Sequence, residues 1–225
     1  MSLKKSLLIV LLVLLIDQAV KVYIKTHFRL GEYVTVFDWF KIYFVENNGM
    51  AFGAEFGGKI GKYFLTGFRI VAIGGIFYWL YTSIKKKESP LLIVAISLIF
   101  AGAIGNIIDS VFYGRIFSDS FHHVATAFPE GGGYAPWFQG RVVDMFYFPL
   151  FDVNIPQWIP WIGGNHFTFF EPVFNIADSA ITIGVAILLL FNKRIFGEQK
   201  QETSPKADFE KTIDEILADN DNLIA

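Results

Sequence analysis

The chain has 225 residues, 53% of them hydrophobic, 17% aromatic and 18% charged, with no cysteine, a mean hydropathy of +0.45 and a formal net charge of -2. A charged fraction this far below the roughly 25% of soluble chains argues against an ordinary soluble domain. The missing cysteines exclude disulfide frameworks, thiolate nucleophiles and cysteine-ligated metal or iron-sulfur sites, and the near-neutral charge gives no footprint for nucleic acid as a partner.

From the N-terminus, the first element is an apolar helix over about Ser6 to Ile24, close to the roughly 20 residues that a bilayer span needs. It continues through Leu15 and Ile16 into Asp17, Gln18 and Lys21 instead of ending at a small-residue cleavage site, so it reads as a retained helix rather than a secretory leader. The next stretch, about Lys25 to Lys62, holds a run from Tyr33 to Val45 rich in Val, Ile, Phe, Tyr and Trp, followed by Asn47, Asn48 and Gly49 as a turn. A small sheet at the membrane surface is predicted there. A second span covers about Tyr63 to Ile84, and a third covers Pro90 to Ile108 without any ionisable residue.

The stretch from Asp109 to about Pro172 carries Gly131, Gly132, Gly133, Pro136, Pro149, Pro156 and Pro160, which disfavour long regular elements. Its Trp137, Trp158 and Trp161 suit an interface belt or direct contact with a substrate. The fourth span runs from about Val173 to Phe191. Residues 195–225 then form a polar tail in which Phe209, Ile213, Ile216 and Leu217 recur at helical spacing, consistent with an amphipathic helix or with a disordered or surface-lying tail.

Lys4 and Lys5, Lys85 to Lys87, and Lys193 with Arg194 all fall on one side of these spans, and such clusters mark cytoplasmic connections. The expected architecture is an all-α membrane core of four transmembrane helices over residues 1–194. Both termini are expected in the cytoplasm, with the small β-sheet and the long loops, about 25–62 and 109–172, on the outer, periplasmic face.

Charge near hydrocarbon is costly, so Asp17, Lys21, Arg69, Asp109 and Asp178 each need a reason. Asp17 and Lys21 are four apart on one helix face, where an ion pair is the simplest account. Arg69 has the reach to snorkel toward lipid phosphates and is assigned no chemistry. Asp178 sits in the first turns of the fourth helix, where a carboxylate gains from the helix's positive end and where an enzyme acting on a membrane-held chain needs its catalytic group. Asn106 and Asp109 project together from the outer end of the third helix, whose small residues Gly102, Ala103 and Gly105 permit close packing. Packing and capping fit this pair as well as a site does.

In order along the chain stand Asp17-Gln18-x-x-Lys21, Asn47-x-Gly49-x-Ala51-Phe52-Gly53, Gly105-Asn106-x-x-Asp109, Gly140-Arg141-Val142-Val143-Asp144 and Phe174-Asn175-x-Ala177-Asp178-Ser179. Together these strings resemble lipoprotein signal peptidase, or signal peptidase II, over most of residues 1 to about 192. The resemblance implies an aspartic endopeptidase of the bacterial cytoplasmic (inner) membrane, without a cofactor. Its activity is removal of the signal peptide from prolipoproteins by cleavage before a diacylglyceryl-modified cysteine. It places the catalytic pair at Asp144 and Asp178, with Asn47, Gly49, Asn106, Asp109, Arg141 and Asn175 binding substrate or supporting the pair. It also implies membrane lipids and globomycin-type inhibitors as binding partners, and a periplasmic flap or helix over the site.

Two departures stand out. Ser110 occupies the place where the family usually has arginine, so that contact is either missing or supplied by another residue such as Arg115 or Arg141. An insertion from Arg115 to Gln139 also separates Asp109 from Asp144 far beyond the usual spacing. Asp119 lies nearer the usual distance, but Gly114-Arg115-Ile116-Phe117-Ser118-Asp119 is one residue too long for the string, and Asp144 is in register. By its position between two motif strings, the insertion is expected to be a flap or rim extension over the site.

Two carboxylates sharing a proton can hydrolyse a peptide without metal or nucleophilic side chain, one activating water and the other donating to the carbonyl. Asparagines can orient such a pair without adding charge. Other chemistries fit less well. His122 and His123 are adjacent and lack the helical separation of a zinc pair. Four spans without repeats and with a large outer loop suit a transporter poorly, and Ser179 lacks an obvious lysine partner on the outer face for a Ser-Lys hydrolase.

Overall fold

The computed structural model describes residues 1–49, 58–154, 156–161, 164, 166–169 and 172–196. Helix α1, Leu3–His27, buries Val10, Asp17, Lys21 and Ile24 and leaves Leu7, Leu8, Leu11, Leu12, Leu15 and Ile16 exposed. Outward leucines beside inward charges invert the pattern of a helix in water. Strands β1 (Tyr33–Phe37) and β2 (Phe40–Asn47) follow as a hairpin with Tyr33 opposite Tyr43, as the run of β-branched and aromatic residues predicts. Helix α2, Gly58–Lys85, exposes Phe64, Phe68, Val71 and Tyr78. Pro90 then starts α3, Pro90–Ile108, at a position where its missing N–H costs nothing.

Helix α3 does not stop at the expected boundary. It runs on through a π-helical turn, Asp109–Tyr113, into α4, Gly114–Ile116. The chain then folds back so that Gly140 N–H donates to the Ser110 carbonyl at 2.9 Å, and a Cβ on Gly140 would lie 2.1 Å from the Asp109 carbonyl oxygen. Strand β3 (Val142–Tyr147) pairs antiparallel with β2 and with β6 (Val173–Phe174), giving the order β1-β2-β3-β6. Strands β4 (Phe151–Asn154) and β5 (His166–Phe169) form a separate two-stranded sheet. Because Val173 and Phe174 are used in β6, the last long helix, α5, begins only at Ile176 and ends at Leu190, with α6 (Asn192–Phe196) after it.

Among the described residues, three helical segments are long and apolar enough to cross a membrane: Leu3–His27, Ile60–Lys85 and Pro90–Ile116. Ile176–Leu190 is apolar but shorter. Helices α3 and α5 approach closely at two glycines: a Cβ on Gly102 would lie 2.2 Å from the Ala177 carbonyl oxygen, and one on Gly184 2.7 Å from that of Ala95. One apolar cluster, including Leu80, Ile93, Ile96 and Phe100, fills the helical bundle. A second, including Ile24, Phe44, Tyr113, Val143 and Met145, joins the sheet to the ends of α1 and α4. Ala51-Phe52-Gly53 and the tail beyond Phe196 lie outside the described residues.

Candidate active site

The two clusters meet at a layer of polar side chains drawn from α1, β2, the α3 end, β3 and the start of α5. Asp144 is the third residue of β3 and is 2% exposed. One carboxylate oxygen accepts from the Asn175 amide at 2.7 Å, and the other accepts from the Asn47 amide at the end of β2. Burial, and then the negative charge of Asp178, push the Asp144 carboxyl up to about 7, against the pull of the Asn175 and Asn47 amides and of Lys21.

Asp178 is the third residue of α5 and is half-buried. Asn175 caps the helix: its side-chain oxygen accepts from Asp178 N–H at 2.9 Å, while Asp178 accepts from Asn175 N–H at 3.4 Å. The other Asp178 oxygen accepts from the Asn106 amide at 2.7 Å. One buried side chain therefore bridges the acids. Asn175 donates directly to Asp144 and, at 3.1 Å, to the Asn106 oxygen, whose own amide holds Asp178.

Behind this bridge lies Lys21. Its ammonium contacts Asp17 at 3.1 Å, Asp109 at 2.9 Å and the Asn106 oxygen at 2.9 Å. The expected Asp17–Lys21 ion pair is present but belongs to a larger cluster. Asp17 also accepts from Ala177 N–H at 2.9 Å, so α1 caps the start of α5 from outside. Asp109, fully buried, further accepts from Gln18 at 3.0 Å and from Val143 N–H at 3.2 Å, tying α3 to the strand that carries Asp144. Every deeply buried polar side-chain atom among the described residues has a partner, as expected where an unpaired group costs about 1–3 kcal/mol.

The remaining sequence candidates divide between two neighbouring regions. Gly49 adopts φ +82°, donates to the Asn47 oxygen at 2.5 Å and receives the Arg69 guanidinium on its carbonyl. Arg69 thus turns inward to the turn, not outward to lipid phosphates. Arg141 contacts Glu46 at 3.0 Å and Asp119 at 3.3 Å and lies over the Tyr134 ring, and among the described residues its guanidinium is not a hydrogen-bond partner of Asp144 or Asp178. Its guanidinium is held all the more firmly in the charged form: burial opposes this, but the hydrogen bond and charge of Glu46 outweigh it. Burial raises the Tyr134 hydroxyl above its ordinary value. Glu46 also binds Lys25, and Lys25 donates to Ser120 at 2.9 Å. This buried cluster fastens the start of the insertion to α1 and β2.

Sequence reasoning missed Glu46, Lys25 and Ser120, although Lys25 continues the Asp17–Lys21 face at the same four-residue spacing. Ser110 is buried and donates to the Asn106 carbonyl at 3.0 Å. Ser179 donates to the Asn175 carbonyl at 2.9 Å, an ordinary bond within the helix turn. Asp119 accepts from Phe121 N–H in addition to Arg141.

This geometry can be set against known proteins. The family described as Signal peptidase (SPase) II matches residues 9–193. A lipoprotein signal peptidase of Porphyromonas gingivalis is 53% identical over 183 residues, covering 81% of this chain and 80% of that protein. One of Amoebophilus asiaticus is 37% identical over 208 residues, covering 90% and 84%. Among solved structures, a bacterial membrane enzyme determined by the in meso method at 2.3 Å resolution superposes with a TM-score of 0.56 at 26% identity, covering 90% of this chain and 93% of that one.

Proposed function

The chain belongs to the signal peptidase II family, and from that premise we propose that it cuts diacylglyceryl-modified prolipoproteins just before the lipidated cysteine, with Asp144 and Asp178 as the catalytic pair. Removal of signal peptides from prolipoproteins by a membrane protease follows from the family. The site and the route of catalysis are our reading. The observation that carries it is the asparagine bridge, which holds two carboxylates from distant parts of the chain around one region at the edge of the apolar helices.

In this reading Asp178 takes a proton from the attacking water while Asp144, whose carboxyl is pushed up to about 7, donates its proton to the scissile carbonyl oxygen. The tetrahedral intermediate collapses as the leaving nitrogen receives a proton from the pair. Asn47, Asn106 and Asn175 hold both carboxylates in place, and Lys21 with Asp17 and Asp109 supports Asn106 from behind. Each acid–base contribution is worth about 10²- to 10⁴-fold.

The substrate's acyl chains arrive through the bilayer, where burial is worth about 0.8 kcal/mol per CH₂. α5 is the fourth span in this reading, ending at Leu190 just before Lys193 and Arg194 mark the cytoplasmic side. Both termini then face the cytoplasm and the sheet faces outward, in the bacterial inner membrane. The insertion forms a rim pinned by Arg141, and globomycin-type inhibitors occupy the same site.

The test is incubation of the purified protein with a diacylglyceryl-modified precursor, with and without globomycin, and mass analysis of both fragments. A cut immediately before the modified cysteine, blocked by globomycin, is expected. An uncut precursor, or one cut equally well without its lipid, contradicts the proposal.

A further inference from the structure

Helix α2 exposes large apolar side chains over much of its surface, yet Lys62, Thr66 and Arg69 recur on one face at i, i+4 and i+7. All three turn inward. Lys62 donates to the Asn48 side chain at 3.0 Å, Thr66 to the Phe138 carbonyl at 3.5 Å, and Arg69 to the Gly49 carbonyl. Two of these contacts grip the Asn47-Asn48-Gly49 turn, and that turn begins with the residue whose amide donates to Asp144.

A charged group in an apolar helix is retained only where it is matched. Among the described residues, no carboxylate lies within 4.0 Å of the Arg69 guanidinium, although the charge of Asp178 acts on it. The match is therefore to the turn and, at longer range, to Asp178. The contact is close: a Cβ on Gly49 would lie 2.6 Å from an Arg69 nitrogen and would displace the guanidinium, while φ +82° itself favours glycine there. From Arg69 the path runs through the Gly49 carbonyl, across Gly49 N–H to the Asn47 oxygen at 2.5 Å, and through the Asn47 amide to Asp144.

We propose that Arg69 is a positioning residue of the peptidase site, locking the Asn47–Gly49 turn so that Asn47 stays aimed at Asp144. The proposal rests on the reading of Asp144 and Asp178 as the catalytic pair. Its action passes through Asn47, which sets it apart from a residue that merely stabilises α2.

The test is a double-mutant cycle on the full chain in detergent or lipid, with kcat and KM measured on a diacylglyceryl-modified precursor for R69Q, R69K, N47A and R69Q/N47A, and D144N as reference. R69Q is expected to lower kcat by about 10-fold or more, in line with a hydrogen bond to a charged group, and to leave KM little changed. R69K is expected to recover part of the loss, and R69Q is expected to cost little further in the N47A background. Should R69Q lose its cooperative unfolding transition, G49A replaces it in the cycle with the same expectation, because the new Cβ displaces the guanidinium. A wild-type kcat in R69Q (or in G49A, where it serves instead), or losses that multiply in the double variant, overturns the role of Arg69 while an inactive D144N leaves the peptidase reading intact. An active D144N, or a wild type that does not cut, defeats the peptidase reading itself.

Discussion

Replacing Asp144 by asparagine exposes a linkage between protonation and folding. The carboxyl rises from 3.8 to about 7 in the folded protein because it is buried and faces Asp178. A folded-state value above the unfolded one means that the native state binds the proton more tightly. The resulting stabilisation is fully present below about 3.8 and is lost as pH rises through about 7. A rise of roughly three units corresponds to about 4 kcal/mol across that window, at about 1.4 kcal/mol per unit, and the 2% exposure of Asp144 leaves little solvent screening to reduce it. Asparagine cannot titrate. It also cannot accept from both Asn47 and Asn175 as the carboxylate does, so the absolute stability of the variant falls, and the informative quantity is how the wild-type–variant gap changes with pH. Unfolding followed by tryptophan fluorescence in one detergent, from about pH 4 to about pH 8, should show the wild type losing stability relative to D144N as pH rises. Parallel curves over that window would refute the assignment of a proton-binding, buried Asp144.

Three further substitutions test the surrounding architecture. N175A removes the α5 cap, worth about 1 kcal/mol, and orphans buried acceptors at about 1–3 kcal/mol, so thermal unfolding should show a loss of about 2–4 kcal/mol and turnover should fall at least tenfold. G102A places a Cβ 2.2 Å from the Ala177 carbonyl; α3 and α5 must separate, and a loss of about 1–3 kcal/mol should accompany reduced activity in the same preparation. E46Q leaves the fully buried Lys25 ammonium without its anion, which should cost about 3–5 kcal/mol in denaturation and free the insertion to limited proteolysis.

Part of the candidate site's framework was legible from local spacing, while Asn47, Asp144 and Asn175 entered only through the resemblance of their motif strings. Asp17 and Lys21 share a helix face, and Asn106 and Asp109 share another. The sheet hairpin was legible for the same local reason. What was not legible depends on tertiary placement. The π-turn at Asp109–Tyr113 carries no residue signature, so the third helix extends to Ile116 beyond its expected end. Val173 and Phe174 are apolar enough for a helix start, yet β3 offers them a ladder and α5 begins at Ile176. Glu46, Lys25, Arg141 and Asp119 come from four separate points along the chain, and only the folded structure shows that they neutralise one another. The inward turn of Arg69 is not legible either, because the sequence does not reveal the rotation of α2, which the Asn48 and Gly49 contacts fix.

The most direct measurement is single-turnover cleavage of a diacylglyceryl-modified precursor by wild type, D144N, D178N and, as control, S179A, each confirmed folded. Joint action by the two acids predicts that D144N and D178N each lose roughly 10²-fold or more while S179A stays near wild type. Retention of substantial cleavage by either aspartate variant contradicts it.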